Sequence, residues 1–71
     1  MALSPAQVVC RKFGGATELA RLLGLRPASI SYWESRGRGR IPSKQQPRLL
    51  RLAHKHNIHL TPDELINGAA E

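Results

Sequence analysis

Aromatic and sulfur-bearing side chains are scarce in this chain of 71 residues, which holds one Trp, one Tyr, one Phe and one Cys. The lone Cys10 excludes an internal disulfide, and its helical setting reads as a small buried hydrophobe rather than a reactive thiol. With so few rings, the core must come from Leu, Ile, Val and Ala. The stacking platform of a single-strand RNA binder is missing as well. No apolar run is long enough to cross a bilayer, and the N-terminus lacks a signal-peptide layout. The expected setting is therefore the cytoplasm, without a membrane. No strand pattern, internal repeat or linker is visible. There is no acid–base pair and no nucleophile beside a base, so no enzyme, catalytic residue, cofactor or small-molecule ligand is expected. Gly37 and Gly39 lack the strand-to-helix context of a nucleotide-binding loop. His54, His56 and His59 are spaced by two and three, which scatters them round a helix, and no metal site is expected.

Acid is the other scarcity: five Asp and Glu stand against eleven Lys and Arg, a net charge of +6. The excess is localised. Arg26, Arg36, Arg38, Arg40, Lys44, Arg48 and Arg51 fall in one segment whose only acid is Glu34, and the remainder of the chain is neutral. Charge gathered on one segment is a footprint for phosphates.

Ala16 to Ser35 organises the rest. Leu19, Ala20, Leu22 and Leu23 recur at helical spacing, and Gly24 supplies the left-handed residue that stops a helix. Pro27 suits the first position of a new helix, on which Ile30 and Trp33 share a face. Small Ala20 allows close approach, and apolar Leu25 and Ile30 close a miniature core. This is the spacing of a helix-turn-helix, whose second helix enters the DNA major groove.

The surrounding elements are equally marked. Ser4 and Gln7 form a capping box, Leu3 and Val8 a staple, and a first helix runs from Pro5 to about Phe13 with Val9 and Phe13 inward. Gly14-Gly15 ends it. The second helix is Ala16 to Leu23 and the third Pro27 to about Ser35, with Arg26 an unsuitable N-cap. Arg36 to Arg40 reads as a flexible basic loop, anchored by Ile41-Pro42. Ser43 and Gln46 form a second box for a fourth helix, with Pro47 just inside. Leu49, Leu52, Ala53 and His56 share its inner face, and Leu50 points elsewhere. Asn57 ends it. Thr61 and Glu64 make a third box, Leu60 and Leu65 a staple, and a fifth helix spans Pro62 to about Asn67 before Gly68; Ala69 to Glu71 should fray. The expectation is one all-α domain over residues 1–71, a bundle of about five short helices.

The run from Phe13 to Leu50 resembles small phage repressors of the Cro type, and among them the YdaS-like branch. Phe13, Gly14, Leu19, Ala20, Leu23, Gly24, Ser31, Trp33, Arg36, Gly37, Ile41, Pro42 and Pro47 stand where that pattern has them. The resemblance implies a five-helix, lambda-repressor-like fold and repression of a nearby promoter. It also takes in antitoxin-type autoregulators and small regulators beside phage anti-defence genes. Pro27 and Ala28 depart from it, replacing longer polar residues, and the RGRGR loop is longer and more basic.

The function expected is sequence-specific binding of double-stranded DNA. Pro27, Ala28, Ser31, Tyr32 and Ser35 would meet base edges, the first two by apolar contact with thymine methyls. Thr17, Arg26, Arg36, Arg38, Arg40 and Lys44 would hold the backbone, with one loop arginine able to enter the minor groove. One small domain offers little interface, so a homodimer on a palindrome is expected, through Leu50, Leu65 and Ile66. The alternative is an antitoxin-type interaction module that neutralises a partner protein.

Overall fold

A computed structural model describes residues 2–70 of the chain. Among them run β1 (Ala2–Leu3), α1 (Pro5–Lys12), α2 (Ala16–Leu23), α3 (Pro27–Ser35), α4 (Gln45–Lys55), α5 (Pro62–Asn67) and β2 (Ala69–Ala70). The fold is the expected all-α bundle of five short helices, with one addition at the termini.

Local chemistry accounts for most helix ends. At the start of α1, Gln7 N–H donates to Ser4 Oγ at 3.3 Å and Ser4 N–H donates to Gln7 Oε1 at 2.9 Å. Thr61 and Glu64 repeat the exchange at α5, at 3.2 and 3.0 Å. At the end of α2, Gly24 takes φ +71° while Leu25 N–H reaches Ala20 O at 2.8 Å. The same six-to-one closure ends α4 without a glycine. Asn57 takes φ +57° and Ile58 N–H reaches Ala53 O at 2.8 Å, as asparagine tolerates the left-handed region.

The inner faces meet in one cluster. Val9 comes from α1 and Phe13 from its C-cap, Leu19, Ala20 and Leu23 from α2, and Ile30 and Trp33 from α3. Ile41 follows from the connecting loop, Leu49 and Ala53 from α4, and Leu65 from α5. Cys10 is buried with them. Burial pushes its thiol up to about 12, helped by the carboxylate of Glu34 alongside, so the group is held protonated.

Four expectations are corrected. The Ser43–Gln46 box does not form. The Gln46 amide instead donates to Ile41 O at 3.2 Å. Lys44 before α4 is already helical and no side chain caps the end. Gln45 N–H is satisfied by Pro42 O at 2.9 Å, and Pro47 has no N–H to satisfy. His56 is exposed rather than inward, because α4 ends at Lys55 and His56 leaves the helical path. Ala69 and Ala70 do not fray: β2 pairs antiparallel with β1, Ala2 opposite Ala70 and Leu3 opposite Ala69. Glu71 lies outside the described residues. Leu65, offered as a dimer contact, is 2% exposed and closes the monomer core. Leu50 is half-buried against that core, which leaves Ile66 as the exposed member of the trio.

Candidate nucleic-acid interface

The turn 24–26 places α3 across α2, with Ile30 and Trp33 buried between them and the rest of the bundle. The opposite face of α3 is open. Pro27, Ala28, Ser31, Tyr32 and Ser35 are all exposed. Their angular positions fall within one arc at about 100° per residue, so the expected base-contact residues do share a surface. Ser35 Oγ donates to Ser31 O at 3.0 Å. That leaves the Ser35 oxygen as an acceptor, while Tyr32 projects its phenol at 58% exposure. Glu34 lies about 200° round the helix from Tyr32, on the side that meets Cys10 of α1.

A groove of about 490 Å³ runs along the Tyr32 flank, lined by Arg26, Ala28, Ser29, Tyr32, Trp33 and Pro42. Ser29 and Pro42 carried no signal that placed them there, since Pro42 comes from another part of the chain. Arg26 caps nothing with its side chain; it lines this groove instead.

Arg36, Arg38, Arg40 and Lys44 are exposed and form no ion pair among the described residues. Other cations of the chain are engaged. Arg21 pairs with Glu18, and Lys12 with Glu64 at 3.2 Å. Arg48, counted with the basic segment, donates to Leu23 O at 2.6 Å and to Gln45 Oε1 at 3.0 Å. It closes the C-terminus of α2 from α4, a role hidden from sequence by a separation of 25 residues. Thr17 is exposed in the first turn of α2, whose N-cap Gly15 offers no side chain.

The basic loop is not the flexible tether expected. Arg36 and Gly37 N–H both donate to Tyr32 O at 2.9 Å, and Gly39 N–H to Trp33 O at 2.7 Å. Arg40 N–H donates to Gly37 O at 3.0 Å, and Gly39 O accepts from Ala6 N–H at 2.9 Å. That last bond satisfies an otherwise orphan donor of α1. Gly39 is buried against Ser4, where an added Cβ would stand 2.3 Å from the Ser4 Cβ. Close packing and φ +78° therefore both require glycine there.

Among the described residues, no three His, Cys, Asp or Glu side chains are grouped to hold a metal. Among those residues, no helix is long and apolar enough to cross a membrane. Comparisons with family models, with curated proteins and with solved structures find no match, so the meaning of this surface rests on its residues.

Proposed function

We propose that the chain is a sequence-specific DNA-binding regulator of the small repressor type, acting as a homodimer. The observation that carries this reading is the open face of α3. Arg26 stands at one end of it and Arg36, Arg38 and Arg40 follow its other end, with Lys44 exposed further along the chain and these cations unpaired among the described residues. Pro27 and Ala28 offer apolar contact to thymine methyls, and Ser31, Tyr32 and Ser35 offer hydrogen bonds to base edges. The arginines, Lys44 and Thr17 hold phosphates on either side of the groove. Ile66 is the side chain left for a two-fold contact.

Positioning and reading separate experimentally. Duplexes selected by the protein from a random library would be compared with scrambled ones by fluorescence anisotropy at several salt concentrations. Arg40→Ala should weaken both alike and make log affinity against log salt shallower by about one unit. Tyr32→Ala should cost roughly 1–3 kcal/mol on the selected duplex and spare the scrambled one. Binding that ignores salt, or no binding, would replace this reading with the protein-neutralising module.

A further inference from the structure

The groove beside Tyr32 is a recess on the face that otherwise protrudes. Arg26 lines it from the turn before α3, Ala28, Ser29, Tyr32 and Trp33 from α3 itself, and Pro42 from beyond the basic loop. Its volume of about 490 Å³ falls in the range of small-molecule sites, which combine mostly apolar walls with a few polar groups. The lining has that composition. Tyr32, Trp33 and Pro42 supply rings, and Ala28 contributes only a methyl. The polar groups are the Arg26 guanidinium and the hydroxyls of Ser29 and Tyr32. Paired bases in a duplex present their edges to a protein, so ring faces of this kind are left for another partner.

Charge selects that partner. Arg26 is exposed, caps nothing with its side chain and forms no ion pair among the described residues. Glu34 is the only acid between Arg26 and Arg51, and it lies on the side of α3 that meets Cys10. Among the described residues, no carboxylate lines the groove. An anion there meets attraction without repulsion, and the planar fork of arginine matches a carboxylate through two parallel hydrogen bonds. We propose that this groove binds a small, flat aromatic carboxylate, with its ring against Tyr32, Trp33 and Pro42 and its charge on Arg26. Such a ligand covers Arg26, Ala28 and Tyr32. On the DNA reading above, on which this consequence rests, it competes with the duplex and acts as an effector that releases it. No ligand is legible in the sequence, because Pro42 meets α3 only in the fold.

Naphthoate and its uncharged counterpart naphthamide are the probes, titrated into the full chain labelled for amide NMR. With naphthoate, the Ala28 and Ser29 amides and the Trp33 indole N–H should shift together and saturate, with a dissociation constant of about 1 mM or lower. Naphthamide should bind at least about fivefold more weakly. Arg26→Gln should remove that difference and leave the affinity for naphthamide as it was. Shifts that fail to saturate or fall elsewhere, or equal binding of the two probes by the wild type, overturn the site. The effector role is read separately, by anisotropy on a selected duplex at constant ionic strength. Naphthoate should displace the protein with a midpoint that follows its own dissociation constant. Saturation of the groove without displacement overturns the effector role. A chain that takes up naphthoate but binds no duplex in a salt-dependent way overturns the DNA reading and upholds the groove as a ligand site.

Discussion

Trp33 is the bulkiest side chain of this small core. It is buried where α3 meets the rest of the bundle, and its carbonyl anchors the basic loop. Trp33→Ala should cost roughly 3–5 kcal/mol through the cavity it leaves, a large share of the stability of a domain this size. Urea melts measure it; a loss under about 1 kcal/mol would place Trp33 on the surface. Glu64 shows a different dependence. Its carboxyl is held below the ordinary 4.5 by the Thr61 N–H first and by Lys12 as well. The pair is sheltered, with side-chain exposures of 27% for Lys12 and 19% for Glu64, and Lys12 also donates to His59 O at 2.6 Å. A folded-state value below the unfolded one favours the ionised, folded form. The stability this contributes is complete above about pH 4.5 and is lost as pH falls through the depressed value. Melts across that range should show a steep acid limb in the wild type and a shallower one in Glu64→Gln. Parallel limbs would mean that the cap and ion pair contribute nothing to acid sensitivity.

At the scale of elements, the joints between helices set the accuracy of the surface. Gly68 is the severest case. It sits at φ +75°, ψ −153°, a region open essentially to glycine, and an added Cβ would lie 1.9 Å from Leu3 O. Gly68→Ala should therefore break the β1–β2 pairing and cost at least about 2 kcal/mol. Amide exchange at Leu3 and Ala69 would accelerate; unchanged protection there would show that the ribbon is not what Gly68 serves. These joints also mark how far the sequence could be read. The bounds of α2, α3 and α5 were legible because Gly24, Pro27, Thr61, Glu64 and Gly68 each act within a few residues of where they stand. The ribbon was not, because two-residue strands carry no periodicity and pair termini far apart in the chain. The docking of Gly39 on Ser4 was hidden for the same reason. Glycine beside arginine reads as freedom until the partner surface is known. Ser43 with Gln46 misled in the opposite sense: the spacing was right, but Gln46 had a better acceptor in Ile41 O. In the candidate interface, the exposed stripe of α3 followed from helical period alone, whereas its groove needed Pro42 from outside the helix.

The molecule measures 28 × 24 × 21 Å, so on the DNA reading proposed above one copy would span about eight base pairs at roughly 3.4 Å each. That would be a half-site, and a small interface of this kind would reach useful affinity when two copies bind sites about 34 Å apart. In the proposed dimer the contact would lie away from α3. Leu65 cannot serve, since a charge there would enter the core and unfold the chain, but Ile66 can. It is 65% exposed on α5 and borders a groove of about 290 Å³ lined by Arg40, Ile41, Ser43 and Gln46. In a two-fold contact the Ile66 patch of one copy would meet the same patch of the other. Ile66→Glu should fold as the wild type does, by circular dichroism, because its side chain lies outside the core. In sedimentation equilibrium it should remain a monomer at concentrations where the wild type pairs. On a selected operator its footprint should shrink toward one half-site, while binding to a scrambled duplex, which needs only the basic face, stays as it was. A wild-type chain that is monomeric at high micromolar concentration and still protects two half-sites without cooperativity would remove Ile66 from the assembly and leave each copy binding alone.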